Sequence, residues 1–246
     1  MVLRSIYPEP AEIANLAALY HADTRHMAAR PWVLLNMVAS IDGATAVSGK
    51  SSALGDQDDL ELFRILRSVA DVILVGAGTV RAENYGQPRL SADLVAMRRH
   101  AGMTPLPRIA VVTGRLSLEP SMRLFTDEGV PPLIITTREA ANESGPSFDG
   151  VAELVASDAL DGRSIVEALD GHRVVLCEGG PTLNASLVKA GVVDEVNLTM
   201  APLLVGGDSL RVAQGEQTAE PQTLPLSRAL VGTQSLFLRY SRQKEE

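Results

Sequence analysis

The sequence holds one cysteine, Cys177, among 246 residues. A disulfide framework within the chain is therefore excluded, which fits a reducing compartment. Metal chemistry finds no support either. The four histidines, His21, His26, His100 and His172, form neither an HExxH pattern nor a Cys/His set with ligand spacing, so no metal is expected. Aromatic residues reach only 4%, which leaves aliphatic side chains to fill the core. No apolar run approaches the ~20 residues that span a bilayer. The first 25 residues carry acids and prolines in place of a signal-type apolar run. Basic runs are absent and the formal net charge is -8, which argues against a nucleic-acid partner. There is no GxSxG elbow and no GxxxxGKS/T phosphate loop. These absences leave the expectation of a cytoplasmic protein that acts on a small molecule.

What is present is aliphatic and periodic. Hydrophobic residues make up 46% of the chain, enough for a sizeable core. Residues 1–30 read as an N-terminal helical extension, with Ile13, Leu16, Ala17 and Tyr20 at helical spacing and Pro31 as the boundary. Near-continuous apolar runs then follow at 32–38, 71–76, 108–113, 132–137, 152–157 and 172–178. Such runs suit strands covered on both faces. Residues 56–70 and 181–190 have helical periodicity, and 164–169 form a short third helix. Strands are also expected in 194–206 and 228–242, the latter turning near Gly232, with 206–227 a surface loop. The fold class is α/β. Residues 31–246 read as a single domain with a mostly parallel central sheet, antiparallel strands at its C-terminal edge and helices on both faces.

The chemistry concentrates at strand ends. The run Glu178, Gly179, Gly180, Pro181, Thr182, Leu183, Asn184, Ala185, Ser186 carries a strand into a helix. Glycines let the backbone approach a ligand, and the free N–H groups at the helix start suit a phosphate. A turn made for packing accounts for Gly-Gly-Pro alone; Glu178 at the strand end favours a site. Gly76, Gly78 and Thr79 follow a second buried strand, but Arg81 stands where a dinucleotide fingerprint needs its third glycine. Thr113 and Arg115 follow a third strand. Their donors suit a 2′-phosphate and hence NADPH over NADH, with a solvated turn arginine as the equal alternative. Ser40, Asp42 and Gly43 end the first long strand, where an aspartate suits a polar ring or proton delivery and a plain Asp-Gly turn is the competing account. Arg64 and Arg67 are neighbours on helix 56–70, and Arg89 follows the second glycine turn; guanidinium groups suit an anionic substrate.

Together these blocks resemble the reductase domain of the bifunctional riboflavin-biosynthesis deaminase–reductase. The likeness rests on SIDG (40–43) with GKSS (49–52), LRSVADVILVGAGTV (66–80) and CEGGPTLNASLVKAGVVDEVNLTMAPLLVGGD (177–208), and extends over about 31–242. It implies a dihydrofolate-reductase-like fold, a homodimer, and NADPH-dependent reduction of 5-amino-6-(5-phosphoribosylamino)uracil or a close relative. By the same resemblance, NADPH contacts Val38, Thr79, Glu83, Thr113 and Gly180–Ser186. Substrate contacts Ser40, Ser51, Arg67, Arg89 and Glu178, and Asp42 and Glu178 are the catalytic candidates. The chain departs from the family in three ways. Asn36 replaces a common lysine, Ser51-Ser52-Ala53 replaces Ser-x-Trp, and the zinc deaminase signature is missing. A phosphorylated pyrimidine is the expected substrate. A pteridine such as dihydrofolate, or nucleotide binding without catalysis, are the alternatives.

Overall fold

The apolar runs assemble into one sheet. The computed structural model describes residues 3–25 and 29–243. Its strands are β1 (Leu3–Tyr7), β2 (Ala11–Ile13), β3 (Trp32–Ser40), β4 (Val72–Gly76), β5 (Arg108–Thr113), β6 (Leu133–Thr137), β7 (Glu153–Ser157), β8 (Val174–Cys177), β9 (Glu195–Ala201), β10 (Leu226–Val231) and β11 (Leu236–Ser241). Its helices are α1 (Leu16–His21), α2 (Gln57–Val69), α3 (Ala77–Ala82), α4 (Ala92–His100), α5 (Arg123–Thr126), α6 (Arg138–Ser144), α7 (Gly162–Glu167) and α8 (Pro181–Lys189). The strand order is β2-β1-β10-β11-β9-β3-β8-β4-β5-β6-β7. Neighbours from β9 to β7 pair parallel, and those from β2 to β9 pair antiparallel.

Alternation along the strands builds two cores. Leu34, Ile73, Val75, Ile109 and Val111 face α2 and α4, while Val33, Leu35, Leu74 and Val175 face α7 and α8. Helices thus cover both faces of the parallel half. Helix α2 shows why its residues choose that state. Asp56 caps it by accepting the Asp59 N–H at 2.8 Å, Asp58 and Asp59 lie in its first turn, and Arg67 lies in its last. Leu62, Ile65, Leu66 and Val69 bury one stripe of it against the sheet.

The N-terminal segment differs from expectation. Its helix covers only Leu16–His21, and Ala11–Ile13 is a strand. The open edge of β10 recruits β1, and β1 recruits β2, so pairing overrides the local helical spacing. His26, within the stretch expected to be helical, lies outside the described residues. Helices α3 to α6 were not anticipated. They are short, and their apolar spacing is weak.

A charged cluster ties this segment to the sheet. Glu195 accepts from Arg25 at 2.9 Å, Arg239 at 2.8 Å and the Trp32 indole at 3.2 Å. Asp194 accepts from Arg30 and Arg242. Asp23 takes Arg228, Arg239 and Arg25.

Candidate active site

Two glycine turns meet where β4 and β8 end. The Gly76 N–H donates to the Gly179 carbonyl at 2.7 Å. Gly179 has φ of 89°, a conformation that favours glycine. A Cβ placed on Gly180 would stand 3.0 Å from the Thr79 hydroxyl. Helix α8 begins at Pro181 with Gly180 as N-cap and no side chain capping it. Its first amides therefore remain available to an anion. Thr79, expected in a loop, sits inside the short helix α3.

The remainder of the expected α8 run divides. Thr182 is exposed, and Ala185 and Ser186 are half-buried. Leu183 packs into the core and offers only its backbone. Asn184 was expected among the cofactor contacts, and the structure turns its side chain inward. It is fully buried, donates to the Val212 carbonyl at 2.7 Å and the Met37 sulfur at 3.2 Å, and accepts from the Cys177 thiol at 3.3 Å. Its side chain holds the 206–227 loop. Burial pushes the Cys177 thiol up to about 12, so it is no nucleophile.

Beyond the glycine turns stands a buried triad. Arg67 grips Glu178 through two hydrogen bonds at 2.7 and 2.8 Å, and the Tyr85 hydroxyl donates to Glu178 at 2.7 Å. The Arg67 guanidinium lies 4.1 Å over the Phe63 ring. Burial alone would lower the Arg67 pKa, but the facing Glu178 carboxylate raises it. Burial, then the charge of Glu178, raises the Tyr85 phenol well above its ordinary value. Glu178 is held by Arg67 and Tyr85 together. Arg67 stands in the site with its charge already matched by Glu178. Arg64 points away, into a separate cavity beside the N-terminal segment. Sequence reasoning missed Tyr85 and Phe63. Phe63 was in principle readable, four residues before Arg67 on one helix; Tyr85 gave no signal.

At the end of β3, Ser40 and Asp42 are both hydrogen-bonded within the protein. The fully buried Ser40 hydroxyl donates to Asp42 and accepts the Ala44 N–H, so it is spent on the turn. Asp42 also accepts the N–H groups of Val205 and Gly206 at 3.2 and 2.7 Å. The Ser40 hydroxyl and then these amides hold its carboxyl down to about 2, so it carries no proton at neutral pH. Its visible work is to fasten the loop after β9. Beside it a cavity of about 600 Å³ opens at the ends of β3 and β9, lined by Ala39, Gly43, Met200, Gly207 and Arg211 among others.

Ser51 and Glu83 come together: the Glu83 carboxylate accepts the Ser51 N–H and hydroxyl at 3.2 and 3.0 Å. Val38 is half-buried on β3, opposite Thr199 in register. Thr113 is buried, which leaves Arg115 as the exposed donor of that pair, and Arg89 is exposed on the loop before α4.

The model of the RibD C-terminal domain matches residues 31–236. The chain belongs to that family. Within it, the chain is 34% identical over 196 residues to the 2,5-diamino-6-ribosylamino-4(3H)-pyrimidinone 5′-phosphate reductase of Archaeoglobus fulgidus, covering 76% of this chain and 88% of that one. The enzyme of the same name from Methanothermobacter thermautotrophicus is 32% identical over 220 residues, covering 86% and 98%. Among solved structures, a pyrimidine reductase-like protein of Corynebacterium diphtheriae superposes with a TM-score of 0.76 at 26% identity, covering 87% and 93%. A RibD C-terminal domain fold of this kind is the α/β architecture expected from the sequence.

Proposed function

We propose that this RibD C-terminal domain protein is an NADPH-dependent reductase of a phosphorylated ribosylaminopyrimidine in riboflavin biosynthesis. The reading rests on the meeting of two glycine turns at the uncapped start of α8, beside the Arg67–Glu178–Tyr85 triad. That cradle suits a dinucleotide: the α8 amides take its pyrophosphate, and a Cβ at Gly180 would crowd the same space. NADPH, when bound, supplies the hydride. The protein supplies orientation and exclusion of water. Gly76–Thr79 and Gly179–Thr182 hold the cofactor, Arg115 takes its 2′-phosphate, and the triad fixes the substrate side, with Arg89 free for the substrate phosphate. The named relatives favour this pyrimidine reading over a pteridine reductase or a binding protein without catalysis.

Cofactor oxidation followed with the phosphorylated pyrimidine and with dihydrofolate tests the reading. Turnover of the pyrimidine supports it, and turnover of dihydrofolate alone overturns it. Arg115→Ala is expected to weaken NADPH by roughly 1.5–3 kcal/mol while leaving NADH affinity in place. Equal losses for both cofactors would remove Arg115 from the 2′-phosphate site.

A homodimer is part of the same proposal. On the face opposite α2, Leu198, Met200, Leu236 and Leu238 stay half-exposed, and Leu204 is 78% exposed. Such an apolar surface on strands β9 and β11 suits a second copy burying more than ~1,000 Å². Light scattering at micromolar concentration should return twice the 26.2 kDa chain mass; a monomer there counts against it.

A further inference from the structure

One fully buried charge has no role in the site described above. Arg98, in the last turn of α4, is 0% exposed, yet no carboxylate pairs with it among the described residues. Asp71 attracts it without touching it, because the Asp71 carboxylate is committed to the Arg173 and Val174 N–H groups at 2.8 and 2.9 Å. The donors of Arg98 go to carbonyl oxygens. Thr104 accepts at 2.8 Å, Ser68 at 3.0 Å and Ala70 at 2.5 Å, and the Arg67 carbonyl stands 3.5 Å from Nη1. Burial lowers the Arg98 pKa to about 10, so the group stays charged at neutral pH. A buried charge without an ionic partner persists only where fixed polar groups satisfy it.

Three of those carbonyls belong to the end of α2. The last carbonyls of a helix have no amide ahead of them. Ala70, which caps α2, is already extended, with φ of −93° and ψ of 144°. A buried cation at this point answers both the orphan oxygens and the negative end of the helix dipole. Ser68 ties the same turn from another side. Its hydroxyl donates to the Ile65 carbonyl at 2.6 Å and meets His21 Nε2 at 2.9 Å.

This is the turn that carries Arg67. Two parallel hydrogen bonds join Arg67 to Glu178, so both the distance and the plane of the guanidinium must be right. The apolar contacts of Leu94 hold α4 against the core, but such contacts are not directional. The hydrogen bonds of Arg98 are. Thr104 braces the guanidinium on its own side, and the remaining N–H groups fix the α2 turn.

Resting on the reductase reading, we propose that Arg98 is a positioning residue, which locks the last turn of α2 to α4 and so aims Arg67 at Glu178 in the substrate half of the site. It touches neither substrate nor cofactor and acts through Arg67.

Steady-state kinetics with NADPH and the phosphorylated ribosylaminopyrimidine test this in the parent, Arg98→Met, Arg67→Ala and the double variant. Arg98→Met fills the space and removes the donors. It should raise the substrate KM roughly 10- to 100-fold, the scale of a misplaced binding group, with the NADPH Kd unchanged and the Tm lowered. Added to Arg67→Ala, it should move KM little further, while its Tm loss persists. Arg98→Lys keeps a charged donor near Ser68 and Ala70. It should recover part of the KM, and it takes the place of Arg98→Met in the comparison if that variant does not fold. A lowered Tm with KM unmoved, or KM effects that multiply in the double variant, overturns the assignment and leaves the reductase reading standing. A parent that reduces no phosphorylated pyrimidine overturns that reading and the assignment with it.

Discussion

Gly180→Val abolishes NADPH binding and leaves the chain folded: that is the expected result of filling the cradle. Gly180 has φ of −78°, outside the left-handed region that favours glycine. Its side chain, however, meets the Thr79 hydroxyl from the first carbon onward. The added methyl groups then occupy the space before the α8 amides. Losing two charge-assisted amide contacts at roughly 1.5–3 kcal/mol each weakens binding by at least about 100-fold. A fluorescence titration reads the loss, and an unchanged circular-dichroism melt shows the fold survived. Tight NADPH binding by this variant would move the pyrophosphate elsewhere. Gly179 does not give so clean a test, because its positive φ couples any side chain to folding.

The second large effect concerns stability. Glu195→Ala leaves the guanidinium groups of Arg25 and Arg239 buried without their main partner. Breaking a buried ion pair from one side costs about 3–5 kcal/mol. For a chain of this size the melting temperature should fall on the order of 10 °C. Acidity provides an independent check. Burial alone would raise the Glu195 pKa, but Arg25 and Arg239 overcome it and hold it at about 2, against an ordinary 4.5. A carboxylate depressed in the folded state stabilises the protein fully above its unfolded pKa. That contribution disappears as the pH falls from 4.5 through 2. The parent should lose stability over this window more steeply than Glu195→Ala, and parallel profiles would dismiss the ion pairs as the cause.

The sequence made the parallel half of the sheet legible because its strands are buried on both faces. Ile73, Val75, Ile109 and Ile134 read as strand whatever their neighbours do. Helix α2 was equally clear, since Asp56 and the stripe from Leu62 to Val69 state its start and its buried side. What depends on distant partners was hidden. Strand β2 is exposed and short, and β1 finds its partner in Val231, far along the chain. Helix α3 hid because Gly76-Ala77-Gly78 has the composition of a loop. The site followed the same rule. The glycine turns were legible as strand ends, and so was Glu178 just past β8. Asp42 had the right chemistry for catalysis, but its carboxylate is committed to amides 163 and 164 residues away. Asn184 lay inside a run expected to face the cofactor, and only the packing of Val212 and Met37 against it reveals that its side chain turns inward.

The paired strands at the chain's beginning bear on how the protein can be cut and expressed. The region shared with the family runs from 31 to 236, which invites a fragment with those ends. Such a fragment would lack β1 and β2 and would bare the N–H and C=O groups of β10, a template for one molecule to stick to another. It would also stop at the first residue of β11, the strand that joins β10 to β9 in the middle of the sheet. Arg25, the clamp on Glu195, would be gone too. Sequence kinship marks the reductase by its chemistry-bearing blocks; the unit that must be made in one piece extends past both of its borders.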